Sequence, residues 1–322
     1  MNVPPTRPRV LKPESEVQAL LGILAEAPPL HSMAPAEARA MFVAAAPLFY
    51  PDFPPVDEQR MAIAGVPARI YRPLGSDPAV PLPTMLFFHG GGWVMGDLDG
   101  YAPICGTLAN DLGICVIAPD YALAPEHRFP AAVVQAIAIS DALFAGDVPG
   151  IDRDRIVIAG DSAGGNLAAV VTLYRRDAGQ RNFAFQWLIY PVTDLRLEAA
   201  SYSECGSDYM LSCEDMRWFR SHYLREGQDL LDWRVSPLLA DDHSDLPSAY
   251  VITCGLDPLQ DDGRYYADAL ERAGVDVQRR HYARQIHGFL FMGKALSGVA
   301  PALAEAASVL RAAFGSLGTD RP

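Results

Sequence analysis

The chain is 322 residues long, half of them hydrophobic and a fifth charged, a composition suited to a packed globule and incompatible with wholesale disorder. Its 26 basic and 39 acidic side chains leave a net charge of −13 at pH 7; this argues against a nucleic-acid partner and against stable association with an anionic membrane, both of which need a basic face. No run approaches the ~18 apolar residues of a membrane span, and the proline-rich start, with no apolar h-region, is not expected to be a secretory signal, so a cytoplasmic location is expected.

In chain order, residues 14–45 read as two short helices broken by Pro28, Pro29 and Pro35, with Ser32 placed to cap the second. The proline-rich stretch 47–55 reads as a linker. Residues 61–63 and 66–71 flank a glycine and read as a strand pair. Apolar runs at 84–88, 114–118, 155–159, 185–190, 249–254 and 275–282 then alternate with helical segments at 101–112, 131–145, 163–176, 261–273 and 300–314. Most of the strands are apolar on both faces, as a sheet covered by helices on both sides requires. The expected fold is therefore α/β, with a mostly parallel, doubly wound sheet. Residues 192–245 contain no long apolar run, but they hold Trp218, Trp233 and several tyrosines, and are too long for a plain loop. They read as an inserted helical piece.

The five cysteines (Cys105, Cys115, Cys205, Cys213, Cys254) are odd in number and widely spread, as expected of reduced thiols in a cytosolic protein. No Cys/His cluster has zinc-ligand spacing.

The sequence Gly160-Asp161-Ser162-Ala163-Gly164 lies between a strand and a helix, the setting that G-x-S-x-G requires. The turn is so tight that side chains at the two glycines would collide with neighbouring elements, and it presents Ser162 at the strand's carboxyl end, above a helix N-terminus that favours an oxyanion. The alternative is a serine that merely caps the helix. His89-Gly90-Gly91-Gly92-Trp93 directly follows another strand. A dinucleotide loop would need G-x-G-x-x-G opening a helix, which is absent. An oxyanion hole needs bare backbone amides, which these glycines supply, with the amide of Ala163 as a further donor. His89 is expected to brace this loop rather than act as a base. Asp161 is expected to anchor the turn or accept a hydrogen bond from a neighbouring loop.

A serine nucleophile needs a base, and the base needs an acid to hold its tautomer, in the chain order Ser, Asp/Glu, His. Of the four histidines beyond Ser162, His222 and His243 fall in the inserted region and His281 lies within a strand. His287 follows the last strand in a loop that Gly288 allows to turn. Asp257 closes the strand at 249–254 and so reaches the same edge of the sheet. Its neighbours Asp261 and Asp262 are explained as helix N-terminal caps. Trp93 and Phe289, beside motif residues, and Trp218 and Phe219, in the insert, are candidates for a substrate pocket, with core filling as the alternative.

With these residues assembled, the sequence resembles the bacterial hormone-sensitive-lipase-like esterases, an α/β-hydrolase family, from about residue 60 to 314. HGGGW (89–93), GDSAGGNL (160–167), DPL (257–259) and HGF (287–289) are intact. The stretches 119–127 and 190–194 also agree, except that Ala122 stands where the family usually has arginine. The resemblance implies an eight-stranded α/β-hydrolase core (51–191 and 246–322) with a helical cap (1–50 and 192–245), and a triad of Ser162, Asp257 and His287. It also implies oxyanion donors at Gly91, Gly92 and Ala163, no cofactor, no metal, and dimerisation through the edge strand, 275–282. The expected activity is that of a serine carboxylesterase on short- to medium-chain acyl esters. A lipase on longer acylglycerols, an amidase, or a receptor that keeps the fold without turnover are the alternatives.

Overall fold

Strands that are apolar on both faces can be buried only between two layers of helices, and the computed structural model, which describes residues 11–207, 209–227 and 229–316, has that arrangement. Eight strands form one sheet: β1 (Asp57–Ile63), β2 (Val66–Arg72), β3 (Leu82–Phe88), β4 (Cys115–Pro119), β5 (Ile151–Asp161), β6 (Phe185–Ile189), β7 (Ala249–Leu256) and β8 (Val277–Ile286). Their order is β1-β2-β4-β3-β5-β6-β7-β8. The β1/β2 and β2/β4 pairs are antiparallel and every other pair is parallel. β4, β6 and β7 are buried at every position.

The helices are α1 (Ser15–Leu24), α2 (Pro35–Phe49), α3 (Leu98–Leu112), α4 (Ala131–Ala145), α5 (Ala163–Asp177), α6 (Ala200–Glu204), α7 (Cys213–Tyr223), α8 (Gln260–Arg272) and α9 (Val299–Ser316). The apolar faces of α4, α5 and α8 pack on one side of the sheet, and those of α1, α3 and α9 on the other. Among the described residues no helix is long and apolar enough to cross a membrane.

Several boundaries differ from the sequence reading. Helix α2 continues through Pro47 to Phe49, because a proline in the last turn leaves the Tyr50 amide free to reach Ala46 O at 2.8 Å. Ser32 does not cap α2: it lies in a 3-10 turn with its hydroxyl on Pro29 O, and the Glu37 carboxylate accepts the Ala34 amide at the helix start. β8 begins two residues later than expected and runs to Ile286, which carries the chain directly to His287.

Residues 192–245 hold α6, α7 and a short 3-10 turn, joined to the sheet by buried polar side chains. Asn166 Nδ2 donates to the carbonyls of Val192 and Val235 at 3.0 and 3.1 Å. Asp262 Oδ2 accepts the amides of Thr193 and Asp194 at 2.8 and 3.0 Å, and Asp261 Oδ2 accepts the Ser201 amide at 3.1 Å. Asp261 and Asp262 are therefore not caps of α8 but anchors of the insert. Because they sit in the buried first turn of that helix, their side chains project across to the segment packed above it. Residues 1–10 of the expected N-terminal cap piece and 317–322 of the expected core lie outside the described residues.

Candidate active site

The C-terminal ends of the parallel strands converge on one rim of the sheet, and the loops that leave them carry the side chains singled out above. β3 and β5 are adjacent, with Phe88 paired to Gly160, so His89–Gly92 and the turn at Ser162 leave the sheet side by side. Ser162 has φ 55° and ψ −117°, a conformation that side chains rarely adopt. Close backbone packing enforces it. A Cβ at Gly160 would collide with the Gly164 carbonyl, and one at Gly164 with the carbonyl oxygens of Phe88 and His89. The Ser162 amide is tied to Ile189 O at 2.9 Å on the far side of the turn.

β7 ends at Leu256 and delivers Asp257; β8 ends at Ile286 and delivers His287. The three side chains form one hydrogen-bonded chain. In the tautomer that satisfies both contacts, His287 Nδ1 donates to Asp257 Oδ2 at 2.8 Å and the Ser162 hydroxyl donates to Nε2 at 3.0 Å. Ser162 and His287 are 125 positions apart in the sequence. Asp257 has no solvent exposure, while Ser162 and His287 keep 7% and 8%. Asp257 Oδ1 accepts the Leu259 amide at 2.8 Å, which leaves Oδ2 aimed at the imidazole. The Tyr190 ring lies 4.7 Å from that of His287. The other three downstream histidines are bonded elsewhere: His222 Nδ1 to Trp218 O, His243 Nε2 to Pro237 O, and His281 Nδ1 to Thr253 Oγ1.

The glycine loop turns back on itself, with Gly91 O accepting the amides of Val94 and Met95 at 3.1 and 2.8 Å. Gly91 has φ 106°, open to glycine alone, and a Cβ on Gly92 would penetrate the Phe219 ring. The amides of Gly91 and Gly92 are not among this turn's donors, and Ala163 is the first residue of α5, whose amide has no intrahelical partner. His89 braces the loop: Nδ1 donates to Gly90 O at 2.8 Å, the ring stacks on Tyr121 at 4.4 Å, and burial lowers its pKa, favouring the neutral form. Tyr121 donates its hydroxyl to His89 O at 2.8 Å. Asp161 is buried and Oδ2 accepts the Tyr101 hydroxyl at 3.1 Å. Burial raises its carboxyl to about 7 against the opposing pull of His287 and the Tyr101 bond.

The four pocket candidates separate. Phe219, on α7, presses its ring against Gly92. Trp93 is fully buried and stacks on Tyr223 with centroids 4.2 Å apart. Phe289 is buried in the layer formed with α3 and α9, 4.9 Å from the Tyr282 ring. Trp218, the residue before Phe219 on α7, is half-buried and edge-on to that ring at 5.2 Å. Sequence reasoning missed Tyr101, Tyr121 and Tyr190, which surround the site from a helix and two strand ends. It also missed Arg39, whose guanidinium bonds Val94 O, Ala124 O and Glu126 and ties α2 to the loop where Ala122 departs from the family pattern. Tyr121 and Tyr190 lie in the family-like stretches 119–127 and 190–194, but those stretches gave no hint of their role, and Tyr101 and Arg39 carry no local motif. Among the described residues no group of three His, Cys, Asp or Glu side chains is arranged to hold a metal ion.

Comparison with known proteins gives a consistent picture. A family model described as alpha/beta hydrolase fold matches residues 85–291. The carboxylic ester hydrolase LipN of Mycobacterium tuberculosis is 41% identical over 268 residues, covering 80% of this chain and 70% of that protein. The ethyl acetate hydrolase of Pseudomonas putida is 40% identical over 232 residues, covering 71% of this chain and 72% of its own. Among solved structures, the ester hydrolase EH1AB1 from the metagenome of Lake Arreo, complexed with a bipyridine phosphonate derivative, is 40% identical with a TM-score of 0.87, over 94% of this chain and 99% of that one.

Proposed function

This chain belongs to the alpha/beta hydrolase family, among its hormone-sensitive-lipase-like esterases, and is a carboxylic ester hydrolase; from that premise we propose that it cleaves short- to medium-chain acyl esters with Ser162, His287 and Asp257 as its triad. The observation that carries the reading is the unbroken hydrogen-bonded run from Ser162 Oγ through both imidazole nitrogens to a carboxylate with no solvent exposure.

Ser162 Oγ attacks the ester carbonyl while His287 Nε2 takes its proton, and Asp257 holds the imidazole in the required tautomer and stabilises the imidazolium. The carbonyl oxygen becomes an oxyanion that the amides of Gly91, Gly92 and Ala163 receive; one such donor is worth about 3–4 kcal/mol of transition-state stabilisation. His287 then protonates the departing alcohol. Water then attacks the acyl-serine carbonyl while His287 takes its proton, and as the intermediate collapses His287 passes that proton to Ser162 Oγ, releasing the acid and regenerating the free serine. No cofactor or metal enters any step.

In this reading residues 1–50 and 192–245 cap a core formed by 51–191 and 246–322, and Phe219 bounds the space beside the oxyanion donors. Five cysteines spread along the chain, four of them buried, suit a reducing cytoplasm, where we place the protein. A second copy pairs along β8, the sheet's outermost strand on that side; light scattering on the purified chain tests this.

The main test is hydrolysis of p-nitrophenyl acetate, butyrate, octanoate and palmitate by wild type and Ser162→Ala. We expect the shorter esters to turn over fastest and Ser162→Ala to lose about 10^4-fold or more in kcat. Equal activity in Ser162→Ala removes the nucleophile, and a preference for emulsified palmitate replaces the short-chain reading with a lipase.

A further inference from the structure

Gly90 is the residue through which β3 passes into the glycine loop, and both of its backbone polar groups are taken by side chains. Its carbonyl accepts from His89 Nδ1 at 2.8 Å. Its amide donates to the Tyr101 hydroxyl at 3.0 Å, and that hydroxyl in turn donates to Asp161 Oδ2 at 3.1 Å. Three separate pieces of chain thus meet at one phenol: the loop that carries Gly91 and Gly92, helix α3, and the residue immediately before Ser162. Gly90 also lies flat against Asp161, and a Cβ there would collide with the carboxyl.

Packing alone does not account for these polar atoms. The Tyr101 ring lies among Phe87 and Phe291, with centroids 6.2 and 4.8 Å away, where a phenylalanine ring would serve equally. Among the described residues, Asp161 Oδ1 has no hydrogen-bond partner. The titratable groups facing it are Tyr50, Tyr101, Cys105, Tyr121, Tyr190 and His287. Its raised pKa makes ionisation a cost to folding, since the stability present below its unfolded range near ~4 is lost as pH climbs through about 7. A buried carboxyl and hydroxyl placed between the serine turn and the glycine loop, where an apolar pair would pack without hydrogen bonds, are accounted for by what they hold in register.

We propose that Tyr101 and Asp161 are positioning residues: the Tyr101 phenol, oriented by the Asp161 carboxyl, fixes the Gly90 amide and so sets where the Gly91 and Gly92 amides stand relative to Ser162. This rests on the reading of Ser162 as nucleophile and of those amides as oxyanion donors. Removing the phenol oxygen leaves the triad intact but frees the loop to shift against it. The loss then falls on the transition state rather than on substrate binding.

The experiment measures kcat and KM for p-nitrophenyl acetate, together with the inhibition constant of phenylboronic acid, whose boron takes Ser162 Oγ to form a tetrahedral, negatively charged adduct. The proteins are the full-length wild type, Tyr101→Phe, Asp161→Ala, Asp161→Asn and Ser162→Ala, each checked for folding by a circular-dichroism melt. For Tyr101→Phe we expect kcat to fall about 10- to 100-fold with KM within about twofold, and phenylboronic acid to weaken in parallel. Asp161→Ala should behave the same way, whereas Asp161→Asn, which retains an acceptor for the phenol, should recover most of the loss. If Asp161→Ala does not fold, Tyr101→Phe, which leaves the ring in place, still decides the matter. A folded Tyr101→Phe with wild-type kcat and boronic-acid affinity, or one that changes only KM or only the melting temperature, overturns the proposal. Ser162→Ala separates this from the reading beneath it. An inactive Ser162→Ala beside a fully active Tyr101→Phe sinks only the positioning role, while an active Ser162→Ala sinks the nucleophile itself.

Discussion

The rim of the sheet and the segments lying over it are held by different forces. At the rim, backbone packs on backbone: Gly160 and Gly164 leave no room for a Cβ, and Ser162 is held in a strained conformation at the junction of β5 and α5. Over it, single side chains make the connections. Asp262 holds the amides of residues 193 and 194, Arg39 holds α2 to the 124–126 loop, and His31 Nδ1 meets Asp215 Oδ1 at 2.8 Å to join a 3-10 turn to the start of α7. The contrast teaches where each kind of change should act. Steric contacts between backbones cannot relax locally, whereas a side-chain tie can be lost one bond at a time.

The largest effect is expected at the rim. Gly164→Ala drives a methyl into the carbonyls of Phe88 and His89. The stability loss should exceed the roughly 1–3 kcal/mol of ordinary overpacking, and p-nitrophenyl acetate turnover should fall by at least about 100-fold. A near-native melt with near-native turnover would break the claim that backbone contact sets the turn. Asp262→Ala comes next, since it leaves two buried amides without an acceptor. We expect a loss of about 2–3 kcal/mol in chemical denaturation, with kcat within about tenfold of wild type because Ser162, His287 and Asp257 are untouched. A collapse of kcat as deep as that of Ser162→Ala would show that the insert and the rim are one unit. The smallest effect is expected for His31→Ala, whose side chain is partly exposed. Removing that tie should cost about 0.5–1 kcal/mol and alter KM more than kcat. A selective fall in kcat instead would mean that this tie reaches the glycine loop at residues 90–92 rather than the segments above it alone.

Much of the rim can be read in the sequence because its demands are local. A strand, a turn too tight for side chains and a helix occupy one short window around Ser162, and the position of His287 after the last strand follows from strand–helix alternation. The anchoring role of Asp261 and Asp262 could not be read the same way. In a linear view two acids at a helix start explain themselves as caps, and only the packed insert reveals that they face amides 60–69 positions away. The four aromatic pocket candidates are equally ambiguous, since Trp93 and Phe289 belong to buried layers while Phe219 reaches the glycine loop.

The amino-acid order by itself determined the sheet, the sharp serine turn, the glycine loop and the three side chains that meet there, because each is encoded in the conformational limits of a few neighbouring residues. Tertiary structure alone decided that Tyr101 stands between Gly90 and Asp161, that Phe219 covers Gly92, and that Arg39 reaches across to the 124–126 loop. Those pairs are brought together by how whole helices settle on the two faces of the sheet, a sum of many weak apolar contacts that no short stretch of sequence specifies.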